Sequence, residues 1–147
     1  MTTIKIKKLH DDAVIPKYEH KGDSGMDVFA IETMLLPPMR RALVKTGLSF
    51  EIPKGYEIQV RPKSGLALKE GISIVNTPGT VDSNYRGELG VILINHSGRS
   101  FLVEKGKKIA QIVLQKVETI KFKEVENLNK TTRGSGGFGS TGLVKHQ

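Results

Sequence analysis

The chain has 147 residues, of which 37% are hydrophobic and 26% are charged, and this fits one globular domain with a buried core. It contains no cysteine, which excludes a thiol nucleophile, a disulfide framework and any zinc site that needs a cysteine ligand. The net charge of +8 favours a polyanionic partner, either a nucleic acid or a nucleotide. Because the basic residues are spread along the chain and only 5% of residues are aromatic, we do not expect stable nucleic-acid binding.

The histidines do not indicate a metal site. His10, His20, His96 and His146 lie far apart, without the short spacing of histidine metal motifs, and each is predicted to lie at the surface. No apolar stretch approaches the length of a membrane span, and residues 1–10 lack the apolar run of a signal peptide. We therefore expect a cytosolic (cytoplasmic) protein that does not bind membranes.

Alternation of apolar and polar residues, which is typical of β-strands, dominates the chain. Proline and glycine turns separate the alternating runs, and many short strands of this kind indicate a sandwich, a barrel or a jelly roll. One short helix is predicted between Ser64 and Glu70. The strands are predicted within residues 1–10 and near residues 26–31, 41–49, 56–61, 72–75, 89–94, 100–104, 108–117 and 119–125.

Residues 76–87 are a candidate ligand site. This turn-rich segment is predicted to form a hairpin whose outer strands offer backbone donors and acceptors to a ligand. Asp82 adds a carboxylate to the segment and Tyr85 adds a ring. A tight polar turn without a binding role is the alternative, because such turns are common.

Three further segments carry groups suited to an anion or a metal. Asp27 follows a glycine turn, where it either holds a metal-bound water or organises the loop. In residues 61–65, Ser64 either caps the short helix or binds phosphate with the first amides of that helix, and capping is the simpler interpretation. Residues 106–111 begin a strand with two lysines and Gln111, which alone indicates a solvated strand edge.

The glycine-rich residues 133–142 are the most informative feature. Five glycines let backbone amides approach phosphate oxygens, while Arg133, Ser140 and Thr141 add donors and Phe138 adds a flat apolar face. Dinucleotide-binding and kinase glycine loops have similar spacing, but too few residues follow for either fold, and the closing lysine of a Walker A loop is missing. A disordered terminus is the alternative. Because ordering so many glycines costs backbone entropy, we expect a ligand or partner to order this segment.

Taken in chain order, these five segments resemble the five motifs of the trimeric dUTP pyrophosphatase (dUTPase) family. The family patterns are approximately Ala/Ser-Gly-x-Asp-Leu, Pro-Arg-Ser-Gly, Gly-x-Ile/Val-Asp-x-x-Tyr-x-Gly, Gly-x-Arg-x-Ala-Gln and Arg-Gly-x-Gly-Gly-Phe-Gly-Ser-Thr-Gly. They occur here near residues 24, 62, 79, 106 and 133 and cover nearly the whole chain. Lys63 and Lys108 stand where the family usually has arginine, which keeps the charge but loses the planar bidentate fork.

The resemblance implies an all-β fold, a distorted jelly roll (β-clip) with one short helix, that forms a homotrimer with active sites at the subunit interfaces. It implies a β domain over residues 1–130 and a flexible glycine-rich tail over residues 131–147 that closes over the active site of a neighbouring subunit. The implied reaction is magnesium-dependent hydrolysis of dUTP to dUMP and pyrophosphate. This reaction limits uracil incorporation into DNA and supplies dUMP for thymidylate synthesis.

The resemblance also implies roles for individual residues. Asp82 would deprotonate a water for in-line attack on the α-phosphorus, and Tyr85 would pack under the deoxyribose and exclude a 2′-hydroxyl. Asp27 would lie in the outer shell of Mg²⁺, which would have no direct protein ligand, and Gln111 would help to bind a water on the uracil or phosphate side. The residues implied to bind uracil are Asn76, Gly79, Thr80, Val81 and Gly90. The residues implied to bind the phosphates, from a second chain, are Lys63, Ser64 and Gly65. The tail residues implied to close the site are Arg133, Phe138, Gly139, Ser140 and Thr141, with Phe138 over the base.

Two other functions fit the same scaffold. A dCTP deaminase shares the fold and related motifs, but it needs an additional catalytic acid in the core, for which the sequence offers no candidate. A non-catalytic nucleotide-binding or regulatory protein is the second alternative. The presence of Asp82 and of the complete tail motif argues against it.

Overall fold

The computed structural model describes residues 1–144, and these residues form an all-β fold, as predicted. Their strand pairings are all antiparallel. The predicted helix is present as α1 (Ser64–Glu70). The strands are β1 (Lys5–Lys8), β2 (Gly25–Phe29), β3 (Met34–Leu36), β4 (Arg41–Lys45), β5 (Leu48–Glu51), β6 (Tyr56–Arg61), β7 (Ile72–Ile74), β8 (Gly79–Val81), β9 (Gly90–Asn95), β10 (Phe101–Val103) and β11 (Lys108–Lys116).

Two larger sheets and two strand pairs organise these strands. One sheet has four strands in the order β2-β11-β6-β8, and the other has three strands in the order β4-β9-β7. The remaining strands form the pairs β1-β5 and β10-β3. Because β7 belongs to one large sheet and β8 to the other, the residues that connect them cross between the sheets.

The hydrophobic core follows the alternation of the strands. Ile58 and Val60 in β6, and Val91 and Leu93 in β9, are at most 5% exposed, and they belong to one core cluster. Successive side chains of a strand point to opposite faces of the sheet, so this spacing gives each strand one buried face. The apolar faces of the two larger sheets therefore share a single core.

The buried Asn95 fastens the end of β9 to its surroundings. This residue is fully buried, and its Nδ2 donates hydrogen bonds to the Leu36 carbonyl at 3.0 Å and the Arg99 carbonyl at 2.7 Å. Its Oδ1 accepts hydrogen bonds from the Ser97 N–H at 2.9 Å and the Ser97 hydroxyl at 2.7 Å. Because both ends of the amide have partners, its burial leaves no polar atom unsatisfied.

Three strand predictions need correction. The segment predicted as one strand at 41–49 is two strands, because Gly47 turns the chain with a φ of 70° and the Thr46 hydroxyl bonds the Leu89 carbonyl at 2.7 Å. The short strand β3 was not predicted. The strand predicted at 119–125 is absent: Ile120 and Phe122 are 73% and 86% exposed, and no strand of the described chain pairs with this segment.

The predicted hairpin at residues 76–87 is also wrong. β8 pairs with β6, in the register Ile58 to Val81, and it has no strand partner within its own segment. The residues after β8 form a loop that returns to β9 in the other sheet. Local turn signals indicated a reversal of the chain, but they do not encode which strand becomes the neighbour.

The start of α1 differs from the expected cap. Lys63, with extended backbone angles, occupies the N-cap position, and its side chain makes no capping hydrogen bond. Ser64 is instead the first helical residue, so the interpretation of Ser64 as a cap is wrong. The helix ends at Gly71, whose left-handed φ of 67° is readily adopted by glycine.

His10, His20 and His96 are exposed, as predicted, whereas His146 lies outside the described residues. None of the helices in residues 1–144 has the length and hydrophobicity needed to span a membrane.

Candidate active site

A cavity of about 180 Å³ lies between β8 and the first part of β9. β8 is one of the two edge strands of its sheet, so within residues 1–144 one side of its backbone has no strand partner. An unpaired edge offers backbone N–H and C=O groups to a ligand. Seven residues predicted from the sequence line this cavity: Asn76, Gly79, Thr80, Val81, Asp82, Tyr85 and Gly90.

The loop after β8 is braced by its own hydrogen bonds. The Tyr85 N–H donates to the Asp82 carbonyl at 3.1 Å, and the Tyr85 hydroxyl donates to the Glu88 carbonyl at 2.9 Å. The Arg86 guanidinium donates to the Ser83 carbonyl at 2.7 Å. These contacts fix the loop, while Tyr85 is 45% exposed and Asp82 is exposed to solvent. Both side chains can therefore meet a ligand and water.

Two glycines keep the walls of the cavity close to the backbone. A Cβ atom on Gly79 would lie 3.2 Å from the Cβ of Val60, and one on Gly90 would lie 2.5 Å from Cδ1 of Leu43. A larger residue at either position would have to displace these neighbours. Having no side chain, both residues line the cavity through their backbone atoms.

A second group of predicted residues surrounds Asp27. Lys63 Nζ contacts Oδ1 of Asp27, and Lys108 Nζ lies 3.1 Å from Oδ2. The side chain of Asp27 is only 14% exposed, whereas those of Lys63 and Lys108 are 27% and 48% exposed. This carboxylate therefore joins three segments: β2, the residue before α1 and the first residue of β11.

Asp27 and the lysines beside it attract one another, and this attraction shifts the pKa values of Asp27 and Lys108. Burial on its own would raise the pKa of Asp27, but hydrogen bonds and charges from Lys63 and Lys108 outweigh it, so the pKa lies below its usual value. The hydrogen bond and the charge of Asp27 in turn raise the pKa of Lys108. Asp27 and Lys108 are therefore both ionised at neutral pH.

Gln111 connects the same three segments. Its Nε2 donates to the Pro62 carbonyl at 3.0 Å, and its backbone lies opposite Asp27 in the pairing of β11 with β2. A Cβ atom on Gly25 would lie 2.5 Å from Oε1 of Gln111, so a larger residue there would displace this amide from its present position. Ser64 and Gly65 are exposed nearby in the first turn of α1.

Tail residues 131–144 make no hydrogen bond to either of these groups. Arg133 Nε donates to the Gly136 carbonyl at 3.0 Å, and further turns join Gly137 to Ser140 and Gly139 to Gly142. Phe138 has a positive φ of 52° and is fully exposed. Tail residues up to 144 do not line the cavity of their own chain.

One chain therefore places the predicted site residues in three separate groups: the cavity, the cluster at Asp27 and the tail. Residues 1–144 contain no group of three or more histidines or acids that could hold a metal ion.

Sequence reasoning missed about half of the cavity lining. Glu88 is one example, and its carboxylate accepts a hydrogen bond from the Gly47 N–H at 3.0 Å. The only sequence signal for most of the others is the strand alternation that also predicts the core. The lining residues that were not predicted as site residues are Val60, Ile74, Glu88, Leu89, Val91 and Ile92.

This chain is similar to known proteins over nearly its whole length. The model of a protein family described as dUTPase matches residues 11–142. The deoxyuridine 5'-triphosphate nucleotidohydrolase of Crocosphaera subtropica is 57% identical over 140 residues, which cover 95% of this chain and 99% of the relative. The chain belongs to the dUTPase family.

Solved structures confirm the jelly-roll prediction. The dUTPase of Staphylococcus bacteriophage 80alpha, solved as a variant with dUpNHpp, superposes with a TM-score of 0.89 at 30% identity, covering 97% of this chain and 100% of that one. A variant dUTPase from phage phi11 of S. aureus, in which a structural Mg(II) ion is coordinated, gives a TM-score of 0.81 at 26% identity. It covers 88% of this chain and 100% of that one.

Proposed function

We propose that this protein hydrolyses dUTP to dUMP and pyrophosphate, with Asp82 as the general base. The observation that carries the proposal is the position of Asp82, which directly follows the free edge strand β8 at the rim of the cavity. The carboxylate takes a proton from water, the water oxygen bonds to the α-phosphorus, and the bond from that phosphorus to the bridging oxygen breaks. Pyrophosphate leaves with the electron pair of that bond.

The cavity suits a base attached to deoxyribose. The edge of uracil carries both donors and acceptors, which match the backbone groups of Gly79, Val81 and Gly90 and the amide of Asn76. The braced ring of Tyr85 supplies a flat wall for the sugar. A wall in contact with C2′ leaves no room for a hydroxyl there, so it selects deoxyribose over ribose.

The phosphates fit the cationic cluster. The exposed first turn of α1 begins with Ser64 and Gly65, and Lys63 directly precedes it. Gln111 lies beside this turn. Because these residues do not line the cavity of their own chain, we propose that they act on the nucleotide in a neighbouring subunit. Magnesium enters as part of the substrate, a complex with dUTP, where it neutralises phosphate charge.

The tail completes the proposed site. Arg133, Ser140 and Thr141 would contact the phosphates, and the exposed Phe138 would cover the base. Gly139 gives the turn between Phe138 and Ser140 its positive φ of 85°. Closure of this segment would exclude water from the reacting phosphate.

Residues 119–125 support a homotrimer. This segment keeps the alternation of a strand, yet Ile120 and Phe122 are largely exposed. Strand β1 pairs only with β5 among the described strands, so it offers a free edge. Pairing of the segment with a neighbouring copy would bury these side chains, and the same pairing repeated in a closed ring would join three chains.

The reaction is tested by incubating the protein with dUTP and with dCTP in the presence of magnesium. Pyrophosphate release from dUTP is expected. The complex of the 80alpha relative with dUpNHpp, a dUTP analogue, supports dUTP as the ligand. Ammonia release from dCTP would identify a deaminase instead, and binding without either product would identify a non-catalytic nucleotide-binding protein.

A further inference from the structure

The two lysines that replace the usual family arginines meet at one carboxylate. Lys63 contacts one oxygen of Asp27 and Lys108 contacts the other, although 45 positions of the sequence separate them (108 − 63). The carboxylate is the least exposed group of the three. Both of its oxygens are therefore occupied by ammonium groups from separate segments.

This arrangement has a physical reason. A lysine ends in a compact charge on a flexible stem, so nothing in the residue itself fixes the position of the charge. Two such groups at one place repel each other unless an anion lies between them. Asp27 supplies that anion, and Lys63 retains N–H donors beyond the one that Asp27 accepts.

The same arrangement disagrees with an outer-shell role for Asp27. A hydrated magnesium ion at this carboxylate would need one of its oxygens and would face two nearby positive charges. The residues around Asp27 therefore suit the anionic phosphates of a nucleotide and do not suit a free hydrated cation.

We propose that Asp27 is a positioning residue that fixes Lys63 for contact with the β- or γ-phosphate of dUTP, with Lys108 holding the second carboxylate oxygen. This inference rests on the proposed function. It predicts that Asp27 acts through Lys63 on the outer phosphates, which dUMP lacks, and that its effect does not require magnesium.

The test compares binding of dUpNHpp and dUMP by calorimetry, once with magnesium and once with EDTA. Asp27→Asn is expected to weaken dUpNHpp binding about tenfold in both buffers, because the charge-assisted contact of Lys63 with an outer phosphate is lost. Binding of dUMP, which lacks the outer phosphates, is expected to change less than about twofold. Lys108→Met is expected to weaken dUpNHpp binding as well. Because both act on the same contact, the double variant should be no weaker than Asp27→Asn.

Lys107→Met is the matched control. Lys107 neighbours Lys108 in sequence, but its Nζ lies 4.2 Å from the centre of the Phe101 ring and forms no ion pair with Asp27, whose oxygens contact Lys63 and Lys108. It should bind both ligands like the unchanged protein. If Asp27→Asn does not fold, Lys108→Met, at a half-exposed position, carries the same comparison.

Several outcomes would overturn the inference. A loss confined to the magnesium buffer would assign Asp27 to a metal-bound water, and an equal loss for dUpNHpp and dUMP would assign it a structural role. Unchanged dUpNHpp binding would remove the link to phosphate. An unchanged protein that binds neither ligand would instead overturn the proposed function.

Discussion

Asp82 stands directly after β8, exposed to water at the rim of the cavity. We expect Asp82→Asn to slow dUTP hydrolysis by about two to four orders of magnitude, because an amide cannot accept the proton of the attacking water. Folding and nucleotide binding should change little, since the amide keeps the shape of the side chain. Pyrophosphate release under saturating dUTP measures the effect.

Asp11→Asn is the control for this change, because Asp11 is exposed and does not line the cavity. It should hydrolyse dUTP at the normal rate. An Asp82→Asn protein with near-normal turnover would remove Asp82 from the role of general base.

Tyr85 is expected to control the choice of sugar. Tyr85→Ala removes the ring at the cavity wall, so relative activity on UTP should rise while activity on dUTP falls. Tyr85→Phe keeps the ring and loses only the hydrogen bond to the Glu88 carbonyl, so it should keep the preference for dUTP. The ratio of kcat/KM for dUTP and UTP is the measurement. An unchanged ratio in Tyr85→Ala would place discrimination elsewhere.

Contiguous site residues could be predicted from the sequence, and residues joined by distant pairing could not. Asp82 and Tyr85 lie in one short segment whose turn residues set it apart. The contact of Asp27 with Lys108 depends on the pairing of β2 with β11. No local pattern encodes that register, so a single sequence indicates the charges without showing that they meet.

Among the elements, residues 119–125 give the sharpest test of assembly. Phe122→Asp should leave the fold of the chain intact, because Phe122 is 86% exposed, and should shift the protein from trimer to monomer. A charge would oppose burial of this position in a neighbouring copy. Analytical ultracentrifugation measures the change, and circular dichroism checks the fold.

Lys121→Asp is the matched control, since in a strand its side chain would point to the opposite face. It introduces the same aspartate and should leave the trimer intact. A Phe122→Asp protein that still sediments as a trimer would show that this segment does not hold the copies together.

The sequence predicted most elements because alternation directly reflects burial of one strand face. The exception at 119–125 has the same alternation, but the strand partner it needs is not present within the described chain. β3 escaped prediction because its three residues, Met-Leu-Leu, are too few to alternate. The tertiary fold, and no local pattern, determines which strands pair. For this reason β8 pairs with β6 and forms no hairpin within its own segment.

For the whole molecule, we expect a chain that ends at Lys130 to fold and assemble with almost no hydrolysis. The tail buries few apolar side chains, so its loss should cost the core little stability. It would, however, remove the phosphate donors Arg133, Ser140 and Thr141. Circular dichroism and size measurements should match the full chain, while pyrophosphate release collapses.

Mixing experiments test whether the tail serves a neighbouring subunit. Truncated chains keep Asp82, and full-length Asp82→Asn chains keep the tail. Hybrid trimers of the two should regain activity, because one chain supplies the base and another the tail. No regain, despite demonstrated subunit exchange, would mean that each tail serves its own chain or has no catalytic role.

The local turns of the tail also determine where a protease can attack. Lys130 and Arg133 are exposed, and the hydrogen bonds of the nearby backbone join only neighbouring residues. A trypsin-like enzyme should therefore cut there long before the jelly roll opens, and bound dUpNHpp should slow the cut if it closes the tail. Such a cut would end catalysis irreversibly without unfolding, so the lifetime of activity in a cell would depend on how often the site holds nucleotide.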